Sequence, residues 1–259
     1  MSPPLGEPSR TYSAMAMETI DDLVAEEERL EAILGDLDDA SWASPSGATG
    51  WTIGDVVLHL AQSEEAVVLT TRGGDLEGAF RVGGSTLDEV MDRKVQSERA
   101  PGRVVFDRWR SARREAVMAL RAADPRQPVQ WAASPLKPAT LATTRLAEHW
   151  AHGLDITGPL GIPFPDTARL RHVAWLAHGS LPYAFAVAGE EPHEIHCELT
   201  APDGSTWRYG PVGAGSSIMG SAGAFCRVGA HRLPAADSGL VTRGPHAATA
   251  LRVLRNYAG

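Results

Sequence analysis

The sequence predicts an α+β fold, with an N-terminal four-helix bundle followed by a smaller C-terminal α+β domain. Three observations predict it. Apolar residues recur at three- and four-residue steps through four long stretches before residue 160. Long connections rich in glycine and proline separate those stretches, as bundles with crossover loops require. After Gly158-Pro159, Gly161 and the Pro163/Pro165 pair, the pattern changes to short strand-like pieces and short helices. The expected division is a flexible arm over 1–16, a helical domain over 17–162 and an α+β domain over 163–259.

Each element has a local reason. Residues 1–13 hold three prolines and little apolar content, too little to bury against a core. From Met17 onward Ile20, Leu23, Leu30, Leu34 and Leu37 share one helical face, until the Ser44-Pro45-Ser46-Gly47 run breaks it. Thr52 and Asp55 carry the signature of a capping box, which opens a second helix lined by Ile53, Val56, Leu60 and Val67. Gly73-Gly74 and Gly83-Gly84 bound a mobile connection. A third helical region spans 86–123, broken at Pro101-Gly102, and a proline-rich crossover leads to a fourth helix over 140–160. The second domain is expected to hold a helix over 167–188, then strands over 193–200 and 206–209 joined by the turn Pro202-Asp203-Gly204. A small-residue helix over 217–229, a strand over 240–242 and a last helix over 246–257 complete it.

Composition excludes several classes of function. Basic residues number 24 and acidic residues 32, a formal net charge of −8, the wrong balance for neutralising phosphates or for a polybasic membrane surface. No apolar run approaches the ~18–20 residues of a membrane span, and the start lacks the basic head and apolar run of a secretory signal. Cys197 and Cys226 do not make a disulfide framework. The expectation is a cytoplasmic protein, monomeric or homodimeric, with no nucleic-acid or membrane partner. The dominance of Arg over Lys is read as GC-rich codon bias rather than as a signal of function.

The sharpest chemical constellation is shared by the second and fourth helices. Glu148 and His152 are four residues apart, so they stand on one helical face, and Asp155 follows three residues further on. On a helix otherwise rich in Ala, Leu and Trp, such groups are costly to bury unless paired or bound to metal. His59 lies at the margin of the second helix's apolar face and can point at the same spot. Two imidazoles and one carboxylate are a catalytic zinc donor set with an open fourth position, and Asp155, or a backbone carbonyl, can accept the second ring proton of one ligand histidine and fix its orientation. The same spacing also fits a Glu–His ion pair on a solvated face with His59 an unrelated core residue, and the residues alone leave both readings open.

The segments Pro45-Ser46, Gly50-Trp51-Thr52-Ile53, Asp55-Val56-Val57, His59-Leu60-Ala61 and Glu64, with the later run from Glu148 to Asp155, resemble the mycothiol-dependent maleylpyruvate isomerases of the DinB-like metal-binding superfamily. The resemblance implies a DinB-like four-helix domain over roughly 17–160, with His59, Glu148 and His152 as ligands of Zn2+ or another divalent metal. The C-terminal half, with Leu199-Thr200-Ala201-Pro202-Asp203-Gly204, Phe225-Cys226 and Gly239-Leu240-Val241, is similar to an actinobacterial subgroup grouped by sequence and not by a shared reaction. The resemblance to the isomerases also implies mycothiol as cosubstrate and a functional arginine late in the chain, for which Arg232 is the match; a surface arginine is the alternative reading.

Other motifs carry less. His193-Glu194-Ile195-His196-Cys197 alternates sides on a strand, so its donors do not converge, and it reads as a partly exposed edge strand. The pair Gly213 and Gly215 lacks the rest of a nucleotide-binding fingerprint. Arg108, Arg110, Arg113 and Arg114 read as a solvated face partnered by Asp107 and Glu115. Trp42, Trp51, Trp109, Trp131 and Trp150 read as core, with Trp51 and Trp150 near the site. The leading functional expectation is a metal-dependent enzyme that uses a low-molecular-weight thiol for S-transfer to, or isomerisation of, an electrophilic small molecule. The rivals are a thiol-independent metal-dependent tailoring enzyme (hydrolase, epimerase or cyclase) and a non-catalytic small-molecule-binding metalloprotein.

Overall fold

A computed structural model describes residues 8–76, 86–132 and 134–256. The chain divides into two compact units, one ending at Phe164 and the other starting at Pro165. The first is helical: α1 (Pro8–Gly35), α2 (Asp39–Ala43), α3 (Ile53–Thr71), α4 (Leu87–Ser97), α5 (Gly102–Ala122) and α6 (Pro138–Leu160). The four long helices pack as two intimate pairs, α3 with α5 and α1 with α6. Between them lie Leu23, Leu30, Leu34, Val56, Leu60, Trp109, Leu146 and Ile156, each essentially sealed from solvent.

Helix α1 starts at Pro8, nine residues before the start its periodicity predicts, over part of the expected arm. Proline is tolerated there because the first-turn N–H has no intrahelical partner to lose. Residues 1–7 and the second glycine pair, Gly83-Gly84, lie outside the described residues. The short α2 has no helical period long enough to read; Asp38 caps it by accepting from the Ser41 N–H at 2.8 Å, and it delivers Trp42 to the core. The start of α5 reaches that ring because residue 102 is glycine: a Cβ there would lie 2.4 Å from Trp42 Cγ. The capping box closes at α3, where Thr52 Oγ1 accepts from the Asp55 N–H (3.1 Å) and Asp55 Oδ2 accepts from the Thr52 N–H (2.9 Å). Helix α6 opens on Pro138 and ends at Gly161, whose φ of +65° is the left-handed cap that glycine favours.

The second unit holds α7 (Leu170–Gly179), α8 (Leu181–Val187), β1 (His196–Thr200), β2 (Thr206–Tyr209), β3 (Ser217–Ser221), α9 (Ala222–Gly229), β4 (Val241–Arg243) and α10 (Ala247–Val253). Its sheet runs β2-β1-β3-β4, with β1 antiparallel to β2, parallel to β3, and β3 antiparallel to β4. The helix expected over 167–188 is two helices, because Pro182 cannot donate in a continuing turn and starts a new one. The expected helix over 217–229 begins instead as strand β3, since Ile218 and Met219 pair with β1 on one side and β4 on the other. Only from Ser221, which caps α9, does it become helical. Strand β1 is interior rather than an edge: Cys197 and Leu199 face the core and both are sealed. No described helix is long and apolar enough to cross a membrane.

Candidate metal centre

Two helices supply the site. His59 lies on the second turn of α3, and Glu148 and His152 lie one turn apart on α6, where i and i+4 side chains stack on one face. The packing brings all three together. His59 Nε2 lies 3.5 Å, and His152 Nε2 3.4 Å, from the same carboxylate oxygen, Glu148 Oε2. The two rings meet edge to face with centroids 5.0 Å apart. One donor atom from each residue lies within 4.8 Å of the other two.

A supporting layer holds these donors. His152 Nδ1 lies 2.9 Å from Asp155 Oδ2, which turns Nε2 toward Glu148. Asp155 is in turn fixed from the 44–50 loop, whose Gly47 N–H donates to the Asp155 carbonyl at 2.7 Å. A Cβ on residue 47 would sit 3.0 Å from Asp155 Cα, so this approach depends on glycine. Trp51 walls the site with its ring 5.3 Å from that of His59 and donates its indole N–H to Asp92 of α4 at 2.9 Å. Trp150 is buried in the core on the turn between Glu148 and His152.

The electrostatics suit a cation. Burial works to raise the Glu148 carboxyl, yet hydrogen bonds from His152 and His59 hold it well below the usual carboxylate range. Burial lowers His59. For His152 burial pulls the same way, but Asp155 and Glu148 overcome it and raise the imidazole. His59 Nδ1 is buried with no hydrogen-bond partner, an orphaned atom in a ring otherwise committed to the cluster. Two imidazoles and a carboxylate fit a divalent transition metal. Among the described residues no fourth protein donor joins the group, and Glu148 keeps 28% of its side chain exposed, so one side faces outward.

A second group meets the same distance test: Glu27 of α1, Glu64 of α3 and His149 of α6, all fully buried. Sequence reasoning assigned these no role. His149 Nδ1 donates to the Arg145 carbonyl at 2.9 Å, and its Nε2 accepts from the Trp109 indole at 3.1 Å. Both ring nitrogens are therefore engaged, and burial with the nearby Arg145 charge pushes the imidazole down to about 3. Arg145 Nε lies 2.7 Å from Glu64 Oε1, and Arg113 Nη1 3.7 Å from Glu27 Oε2. Arg145 forms a hydrogen-bonded ion pair with Glu64, whereas both Glu27 oxygens are buried without a hydrogen-bond partner, and burial raises both carboxyls, that of Glu27 well above the usual range. Arg113 thus departs from the solvated face expected of the arginine run; it shares the inward side of α5 with Trp109, four residues earlier, and pairs with Glu31 and Glu27.

Arg232 lies in the second unit, just past α9, with its Nη1 donating to the Ala230 carbonyl at 2.7 Å. His193 stands outside β1, its ring stacked on His246 with centroids 3.3 Å apart, while Cys197 faces the core. Both cysteines are buried and neither is in a disulfide. Burial pushes the Cys197 thiol up to about 12, and the Cys226 thiol is raised as well, by burial and by Asp166.

Comparison with known proteins places these residues in context. The family model described as the mycothiol maleylpyruvate isomerase N-terminal domain matches residues 23–157. An uncharacterized protein of Mycobacterium tuberculosis, from strain CDC 1551 / Oshkosh and again from strain ATCC 25618 / H37Rv, is 32% identical over 243 residues. Those matches cover 92% of this chain and 94% of the relative. Among solved structures, the mycothiol-dependent maleylpyruvate isomerase superposes with a TM-score of 0.56 at 14% identity, covering 95% of this chain and 99% of that one. A histidine-to-alanine mutant of the same enzyme gives 0.54 at the same identity and coverage.

Proposed function

Since the chain belongs to the mycothiol maleylpyruvate isomerase N-terminal domain family, we propose that it is a metal-dependent enzyme using a low-molecular-weight thiol, mycothiol. The reaction is isomerisation of, or S-transfer to, an electrophilic small molecule. The thiol sulfur bonds to an electrophilic alkene carbon and the double bond becomes single. Either a proton completes a stable thioether, or rotation and loss of the same thiol return the isomerised alkene. The observation that carries this reading is the convergence of His59 and His152 on one oxygen of Glu148 with Asp155 behind His152.

In this reading His59, Glu148 and His152 hold Zn2+ or a similar ion, which when bound favours the thiolate form of a thiol. The chain's residues do the rest by position. Glu148 stays ionised between the two imidazoles. Asp155 fixes the His152 ring, and Gly47 fixes Asp155. Trp51 keeps an apolar wall beside His59. Neither cysteine offers a competing nucleophile, because both are sealed and their thiols are shifted away from ionisation. Arg232 of the second unit is kept as the functional arginine that the family resemblance implies. The set of three donors with no fourth among the described residues favours an open catalytic site over a saturated structural one.

The test measures metal content by mass spectrometry on the purified chain and on His59→Ala and His152→Ala. Turnover of an unsaturated keto acid such as maleylpyruvate is then followed with and without mycothiol. About one zinc per chain that falls away in both variants, with turnover that requires the thiol, is expected. Stoichiometric zinc surviving both substitutions overturns the ligand assignment; turnover indifferent to the thiol overturns the cosubstrate.

A further inference from the structure

The helices that carry the candidate ligands belong to different pairs. Helix α3 packs chiefly on α5, and α6 chiefly on α1, while α3 and α6 meet over a shorter stretch. The ligand group spans that seam. Any slide of one pair against the other therefore changes the distance from His59 to Glu148 and His152, and coordination tolerates changes of only a few tenths of an ångström.

Besides the ligand group itself, a hydrogen-bonded ion pair crosses the seam. Arg145 of α6 donates its Nε–H to Glu64 Oε1 of α3 at 2.7 Å, with side chains only 3% and 0% exposed. Arg145 precedes Glu148 by three residues and Glu64 follows His59 by five, roughly 4.5 and 7.5 Å along the two axes at 1.5 Å per residue. The pair thus lies about one turn below the ligands on two antiparallel helices. Trp109 of α5 bonds His149 of α6 at 3.1 Å, and Arg113 of α5 pairs with Glu31 of α1, so the same level ties all four helices. Buried ion pairs add little net stability over apolar residues of similar volume. What such a pair supplies is a fixed distance and register, which an apolar contact does not impose.

We propose that Glu64 and Arg145 are positioning residues whose ion pair sets the separation of α3 and α6 and so holds His59 in metal-binding register with Glu148 and His152. The inference rests on the reading of that group as a metal centre. The experiment uses the full chain, the double variant Glu64→Leu/Arg145→Met, and Arg145→Lys. Zinc affinity is measured by competition with a chromophoric chelator, the visible spectrum is recorded after loading with Co2+, and the thermal midpoint is determined for each protein.

The double variant is expected to fold with a midpoint near that of the wild type, to bind zinc 10–100-fold more weakly, and to show altered cobalt bands. Arg145→Lys, which keeps the charge, is expected to recover part of the affinity. A folded double variant with wild-type affinity and spectrum overturns the positioning role and leaves the metal centre standing. A wild-type chain that binds neither metal overturns the metal centre and this inference with it. Should the double variant not fold, Glu64→Gln is read by the same two measurements, with the same outcomes.

Discussion

His152 presents Nδ1 to Asp155 Oδ2 at 2.9 Å, three residues along the same helix, and thereby commits its other nitrogen to Glu148. A histidine anchored in this way pays less conformational entropy when Nε2 takes a ligand.

Removing the anchor should weaken metal binding without dismantling the bundle. Asp155→Ala is expected to lower zinc affinity 10–100-fold, measured by chelator competition, and the far-ultraviolet circular dichroism should match the wild type. Unchanged affinity would show that His152 needs no partner.

The capping box at the start of α3 predicts a stability effect remote from the chemistry. Thr52→Ala leaves the Asp55 N–H without its acceptor and should cost about 1 kcal/mol, read from urea denaturation midpoints. Thr52→Ser, which restores a hydroxyl, should recover most of it.

Glu98 predicts a pH dependence. Partial burial works to raise its carboxyl, but Lys94, Arg108 and Gln62 hold it down at about 2. A depressed carboxylate contributes stability above its unfolded value near 4.3 and loses it as pH falls through the folded value. Glu98→Gln should therefore cost on the order of 1 kcal/mol at pH 7, after allowing for solvent screening. In paired urea titrations the gap should narrow below about pH 4.5 and vanish near pH 2.

The cysteines predict chemical inertness. Cys197 and Cys226 are both sealed and shifted away from thiolate, so iodoacetamide should leave both unmodified in the native chain and label both in urea. Rapid native labelling of either residue, seen by mass spectrometry, would contradict the burial described.

Several local features were legible in the chain because their causes are local. Thr52 and Asp55 needed only three intervening bonds of helix to find each other. Gly204, at φ +83°, turns β1 into β2 from within a tight turn, and β2 begins and ends where alternation placed it. Pro101-Gly102 separates α4 from α5 through the ring of one residue and the missing side chain of the next. Residues 217–221 were not legible: Ser-Ile-Met-Gly-Ser has no decisive local preference, and pairing with β1 and β4 made it a strand. Arg113 was misread for a related reason, since a charged residue reads as solvent-facing unless its carboxylate partners, here from α1, are known.

The chain alone determined which residues share a helical face, because that depends on 3.6 residues per turn and nothing else: Glu148 with His152, and Asp155 beyond them. Tertiary packing decided what stands opposite. Only the docking of α3 against α6 set His59 at 3.5 Å from Glu148 and joined Glu64 to Arg145, residues 81 positions apart in sequence. The register between two helices is chosen by the whole core that they share with α1 and α5, and no short stretch of sequence contains that information.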